Sequence, residues 1–116
     1  IILLFLFVLS VQVTKAQMDC DELIEYLETG WDGNQYTSYD SDAISSVTFY
    51  AILDDYDDEF HYAIVVFTSS DEQYIYQVDN ITEDDYAWDS SKSAGKAFWK
   101  HIQPHDETLD CGAYFE

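Results

Sequence analysis

Ser93-Ala94-Gly95-Lys96-Ala97-Phe98-Trp99, together with the apolar strand upstream that closes on Tyr74-Ile75-Tyr76, decides how this chain folds. Ala94, Phe98 and Ile102 recur at helical spacing with Ala97 and His101 beside them, whereas Lys92, Lys96 and Lys100 lie two residues out of phase. The spacing predicts a helix from Ser91 or Lys92 to Gln103, ended by Pro104, with its apolar stripe on a sheet and its ammonium groups facing outward. Glycine is costly inside a helix, so Gly95 is expected where this helix closely approaches the sheet.

Working back toward the N-terminus, three strands are expected at about Ile44 to Leu53, Phe60 to Thr68 and Gln73 to Val78, each rich in β-branched and aromatic residues. In the first, Val47, Phe49, Ala51 and Leu53 alternate with Ser46, Thr48 and Tyr50, which marks one core-facing side. The second is apolar on both sides, Ala63, Val65 and Phe67 against Tyr62, Ile64 and Val66, as befits a central strand. The third sets Tyr74, Tyr76 and Val78 opposite Ile75 and two glutamines. Short connections favour an antiparallel meander. Thr82-Glu83-Asp84-Asp85 opens a short helix through about Trp88. The predicted class is α+β, a three-stranded antiparallel meander packed against C-terminal helices.

At the N-terminal side, Cys20, Leu23, Ile24 and Leu27 recur at helical spacing, Asp19 stands three residues ahead of Glu22 as a cap, and Gly30 stops the helix. Trp31 to Asp42, rich in Gly, Asn, Ser, Asp and Tyr, reads as a loop. Residues Ile1 to Val13 are apolar except Ser10 and Gln12, and Thr14-Lys15-Ala16 precedes a cleavage point before Gln17. This reads as a signal peptide already under way at Ile1, and the run falls short of the about 20 residues that span a bilayer. The expected mature protein is exported, to a periplasmic or extracellular space. Its two cysteines, Cys20 and Cys111, then pair as one disulfide that ties the first helix to the tail. The expected organisation is 1–16 signal, 17–39 helix and loop, 40–104 the main module, and 105–116 tail.

Without the leader the chain holds three lysines and no arginine against 24 acids, a formal charge of −21. Such a field repels phosphate backbones and disfavours nucleic acid, while favouring cationic partners or divalent ions. Aromatic residues at 17% supply enough apolar area for one core, so the charge does not imply disorder.

Ala43-Ile44-Ser45-Ser46-Val47-Thr48-Phe49-Tyr50, Ala63-Ile64-Val65-Val66-Phe67, the Tyr74-Ile75-Tyr76 signature and the Ser93-Ala94-Gly95 start with Phe98 together resemble the KTSC domain. That module occurs at the C-terminus of some lysyl-tRNA synthetases and as free-standing bacterial proteins. The resemblance covers about Asp40 to Pro104 and implies a small binding or accessory module, with nucleic-acid binding as the family's suggested role. Asp54 to Glu59 lengthens the first hairpin relative to the pattern, and the cysteine pair lies outside it.

The expected function is therefore a non-catalytic exported binding module with no cofactor, its partner a glycan or a basic protein. Tyr74 and Tyr76 could stack on bases or sugar rings or instead pack inward, and Lys92, Lys96 and Lys100 could hold an anion or simply form a solvated helix face. A second reading makes the protein an acidic inhibitor or immunity-like partner of a basic protein. A third assigns weak divalent-cation binding to Asp54, Asp55, Asp57 and Asp58, with Asp40 and Asp42 as a smaller group, although neither has EF-hand spacing. His61, His101 and His105 fall in no catalytic or metal motif. Asn80-Ile81-Thr82 fits a glycosylation sequon, which the bacterial character of the resembled family reads as fortuitous.

Overall fold

The computed structural model describes residues 20–38, 41 and 43–113. The expected signal sequence, the expected Asp19 cap, Asp40 and Asp42 therefore lie outside the described residues. The elements, in chain order, are α1 (20–30), β1 (Asn34–Thr37), β2 (Ile44–Leu53), β3 (Glu59–Phe67), β4 (Gln73–Val78), α2 (Thr82–Ser90), α3 (Ala94–His101), a 3-10 turn (Gln103–His105) and α4 (Asp106–Leu109). The protein is α+β, and its strands form one antiparallel sheet in the order β1-β2-β3-β4.

The expected meander is present as β2 to β4, but the sheet has a fourth strand. Asn34–Thr37 pairs with β2, setting Tyr36 opposite Val47, inside the stretch read as a loop. Only Tyr36 of these four residues is partly buried, so the local pattern carries no strand signal. Backbone pairing with β2 and the Tyr36 ring, edge-on to Phe49 at 5.7 Å and to Tyr86 at 6.1 Å, hold the strand in place. Gly33 leads into it across Thr48 and Tyr50, where a Cβ would meet side-chain carbons at 2.6 to 2.8 Å.

The sheet is covered on both faces. On one, Ile44, Val47, Phe49, Ala63, Val65, Tyr76 and Val78 pack against Tyr86 of α2 and Ala94, Ala97, Phe98 and Ile102 of the α3 region. On the other, Tyr50, Ile52, Tyr62, Ile64 and Ile75 pack under Ile24 and Leu27 of α1, with Leu109 and Cys111 at the margin. Strand β3 contributes to both, as its two apolar sides require. The single core-facing side expected for β2 needs correction, because Ala51 and Leu53 are exposed, Leu53 by 55%, while Tyr50 and Ile52 are buried. Beyond Phe49 the strand has left the α2/α3 layer and meets α1 instead, so its buried side changes. A register shift between Ile44 and Ser46 lets Ile44 join Val47 and Phe49 on one face.

The long helix begins later than its apolar spacing suggests. Ser93, extended at φ −159°, accepts a hydrogen bond from the Lys96 N–H at 3.3 Å and so caps α3, which runs Ala94–His101. Lys92 consequently sits in the turn before the helix, not on it. Pro104 falls inside the 3-10 turn that follows. Gly95 is not forced by close approach, because a Cβ there would make only an ordinary 3.6 Å contact with Ala43. The close approach is instead at Gly112, where a Cβ would lie 2.5 Å from the Tyr76 ring and also collide with Asp106. Gly112 donates its N–H to Asp106 Oδ1 at 2.9 Å and lays the tail across Tyr76. Cys20 and Cys111 are bonded, with Cα atoms 5.9 Å apart, joining α1 to the tail.

Candidate functional site

Helices α2 and α3 meet at a serine-rich turn, Ser90-Ser91-Lys92-Ser93, that faces the edge strand β1. Between them lies a groove of about 850 Å³, walled by Gln35 and Ser38 on one side and Ser90, Ser91, Lys92 and Ser93 on the other. None of the thirteen described residues that line it is acidic, although the chain carries 24 acids and is strongly negative. The Ser90 and Ser91 hydroxyls donate to the Ala87 and Trp88 carbonyls at 3.3 and 2.7 Å, which leaves their lone pairs to accept. Ser93 accepts from Lys96 N–H and keeps its own O–H to donate. The groove therefore offers donors and acceptors together, with one ammonium at its rim.

Behind this wall the tyrosines are structural. Tyr36 O–H donates to Glu83 Oε2 at 2.8 Å, where the Asn34 side chain also donates, and burial together with this carboxylate pushes its pKa up to about 12. Tyr86 is closed off from solvent, and burial likewise takes its hydroxyl to about 12. The nearby Ser38 hydroxyl offsets part of that rise without completing a well-aligned hydrogen bond.

The residues singled out in the sequence are dispersed. Tyr76 is fully buried, donating to Gln103 Oε1 at 3.2 Å and accepting from the Ala113 N–H at 3.1 Å, so its ring is core and not a stacking platform. Tyr74 is half-buried edge-on to Phe67, and its hydroxyl donates to Glu72 at 2.6 Å. Lys92 lines the groove, whereas Lys96 and Lys100 lie exposed on α3 away from it. In the acidic hairpin, Asp54 uses one carboxylate oxygen to accept from the N–H groups of Tyr56 and Asp58 at 2.9 and 2.8 Å, a staple for the turn. Asp55, Asp57 and Asp58 point into solvent, and among the described residues no three His, Cys, Asp or Glu converge as metal ligands.

The groove was missed because its walls come from residues more than 50 positions apart, joined by pairing of β1 that the sequence does not announce. The local signal was the three serines at Ser90, Ser91 and Ser93, which open a sixteen-residue run without an acid, Ser90 to His105.

At the C-terminal end of α2, next to the serine turn, Asp89 accepts the ring N–H of His101 at 2.6 Å and lies 3.8 Å from Lys100, bracing α2 to α3. The His101 hydrogen bond, then the neighbouring lysine charges, hold the Asp89 carboxyl below its ordinary value of 3.8. A depressed carboxyl stabilises the fold above its unfolded pKa and loses that contribution as pH falls through its folded pKa. The stability gap between wild type and Asp89→Asn, read from urea midpoints, should thus close progressively as pH falls below 3.8. A gap unchanged down to pH 2 would contradict this.

Compared with models of known protein families, with curated proteins and with solved structures, the chain gives no match. No helix among the described residues is long and apolar enough to cross a membrane.

Proposed function

We propose that this protein is an exported, non-catalytic binding module of KTSC-like build whose groove between β1 and the α2–α3 turn receives a neutral glycan. The absence of acids among the described lining residues, on a chain of formal charge −20, is the observation that carries this reading. Long-range repulsion from such a surface disfavours anions, and the described walls hold no carboxylate for a cation to grip. An uncharged, hydroxyl-bearing ligand fits both conditions and matches the mixed donors and acceptors of the serines. The disulfide supports an oxidising compartment.

Isothermal titration with neutral oligosaccharides should show saturable binding. Gln35→Trp, which fills the groove from the exposed edge strand, should weaken it by about tenfold or more, equivalent to ~1.4 kcal/mol. Lys92→Ala should change it little, because a neutral ligand makes no ion pair there. Binding unaffected by Gln35→Trp would sink the assignment.

The net charge favours a second reading, an acidic partner for a basic protein. Salt-sensitive retention of one basic protein by the immobilised chain, in the absence of glycan binding, would select it. In that case charge reversal on α1 at Glu25 and Glu28, both exposed, should weaken capture.

A further inference from the structure

The turn from β4 into α2 carries Asp79-Asn80-Ile81-Thr82, whose last three residues form a glycosylation sequon. Asn80 is exposed, and its amide makes no hydrogen bond among the described residues. Ile81 beside it is 60% exposed, an apolar side chain left bare on the surface. The chain has only two asparagines, and the other, Asn34, is followed by Gln35-Tyr36, which is no sequon. The Cys20–Cys111 bridge suits the same oxidising lumen in which asparagine-linked glycans are attached.

We propose that Asn80 is an acceptor for one N-linked glycan. In the transfer, Asn80 Nδ2 loses a proton and bonds to the anomeric carbon of an oligosaccharide. The bond from that carbon to the pyrophosphate of a lipid-linked donor breaks, and the lipid pyrophosphate leaves with the electron pair. The fold sets the timing. Thr82, whose hydroxyl a transferase must engage, is only 3% exposed and accepts the Asp79 N–H at 3.1 Å. Attachment therefore precedes the docking of α2, after which Thr82 is enclosed while Asn80 remains outside. The proximal sugar then lies beside Ile81 and shields it.

This inference rests on the export reading but is independent of the groove. The test is to express the full chain for secretion in a eukaryotic cell and to map Asn80 by peptide mass before and after an amidase that removes N-glycans. Wild type and Thr82→Ser, which keeps the hydroxyl, should each carry one removable glycan and yield aspartate at position 80. Asn80→Gln should be secreted without it. A secreted, disulfide-bonded wild-type chain with unmodified Asn80 would overturn the inference and leave export standing. Retention of the chain in the cytosol would overturn the export reading and this inference with it.

Discussion

Replacing Cys20 and Cys111 together with serine should lower the unfolding free energy by about 4.5 kcal/mol, the chain-entropy value for a closed loop of this length. The two cysteines are 91 positions apart, so the bridge restrains nearly all of the described chain once it unfolds. Single domains of this size commonly have only about 5–15 kcal/mol in total, so the variant should sit near its unfolding threshold at room temperature. In the folded state the bridge also anchors α1 to the tail, where Leu109 and Cys111 border the Tyr50, Ile52, Tyr62, Ile64 and Ile75 layer. Urea unfolding followed by tryptophan fluorescence measures the loss, and reduction of the wild type should reproduce it. A double-serine variant with an unchanged midpoint would refute the role assigned to the crosslink.

Phe98→Ala should cost about 3–5 kcal/mol, the range for truncating a fully enclosed aromatic. Its ring is 0% exposed and stands edge-on to Phe67 at 5.3 Å and to Tyr76 at 5.7 Å, so it joins α3 to the last residue of β3 and to the interior of β4. Trp99, the next residue, is 51% exposed, and Trp99→Ala should cost within about 1 kcal/mol. The contrast between adjacent aromatics is the check. If both variants unfold at the same urea concentration, α3 is not packed as described.

Much of the fold was legible because several segments carry their own period. Leu23, Ile24 and Leu27 announced α1, the two-sided apolar run of β3 announced a central strand, and Phe98 inward with Lys96 and Lys100 outward followed from helical spacing alone. The candidate site was hardly legible. Of the two alternatives open for Tyr76, stacking on a ligand or packing inward, the structure shows the second, because alternation along β4 places it on the side that α3 and the tail cover. Ala51 and Leu53 misled for a related reason: alternation says which residues share a side, not which side a neighbouring layer will cover.

The amino-acid sequence determined by itself the α+β class, the strands β2 to β4, the pairing of its two cysteines and the charge that constrains any partner, since these depend on local periodicity, composition and a choice with one solution. Tertiary structure alone decided the fourth strand, the change of buried side along β2, the place of Gly112 against Tyr76 and the groove between β1 and the α2–α3 turn. Each of these is set by backbone pairing or contact between segments distant in the chain, and no local pattern of residues encodes which distant surface they will meet.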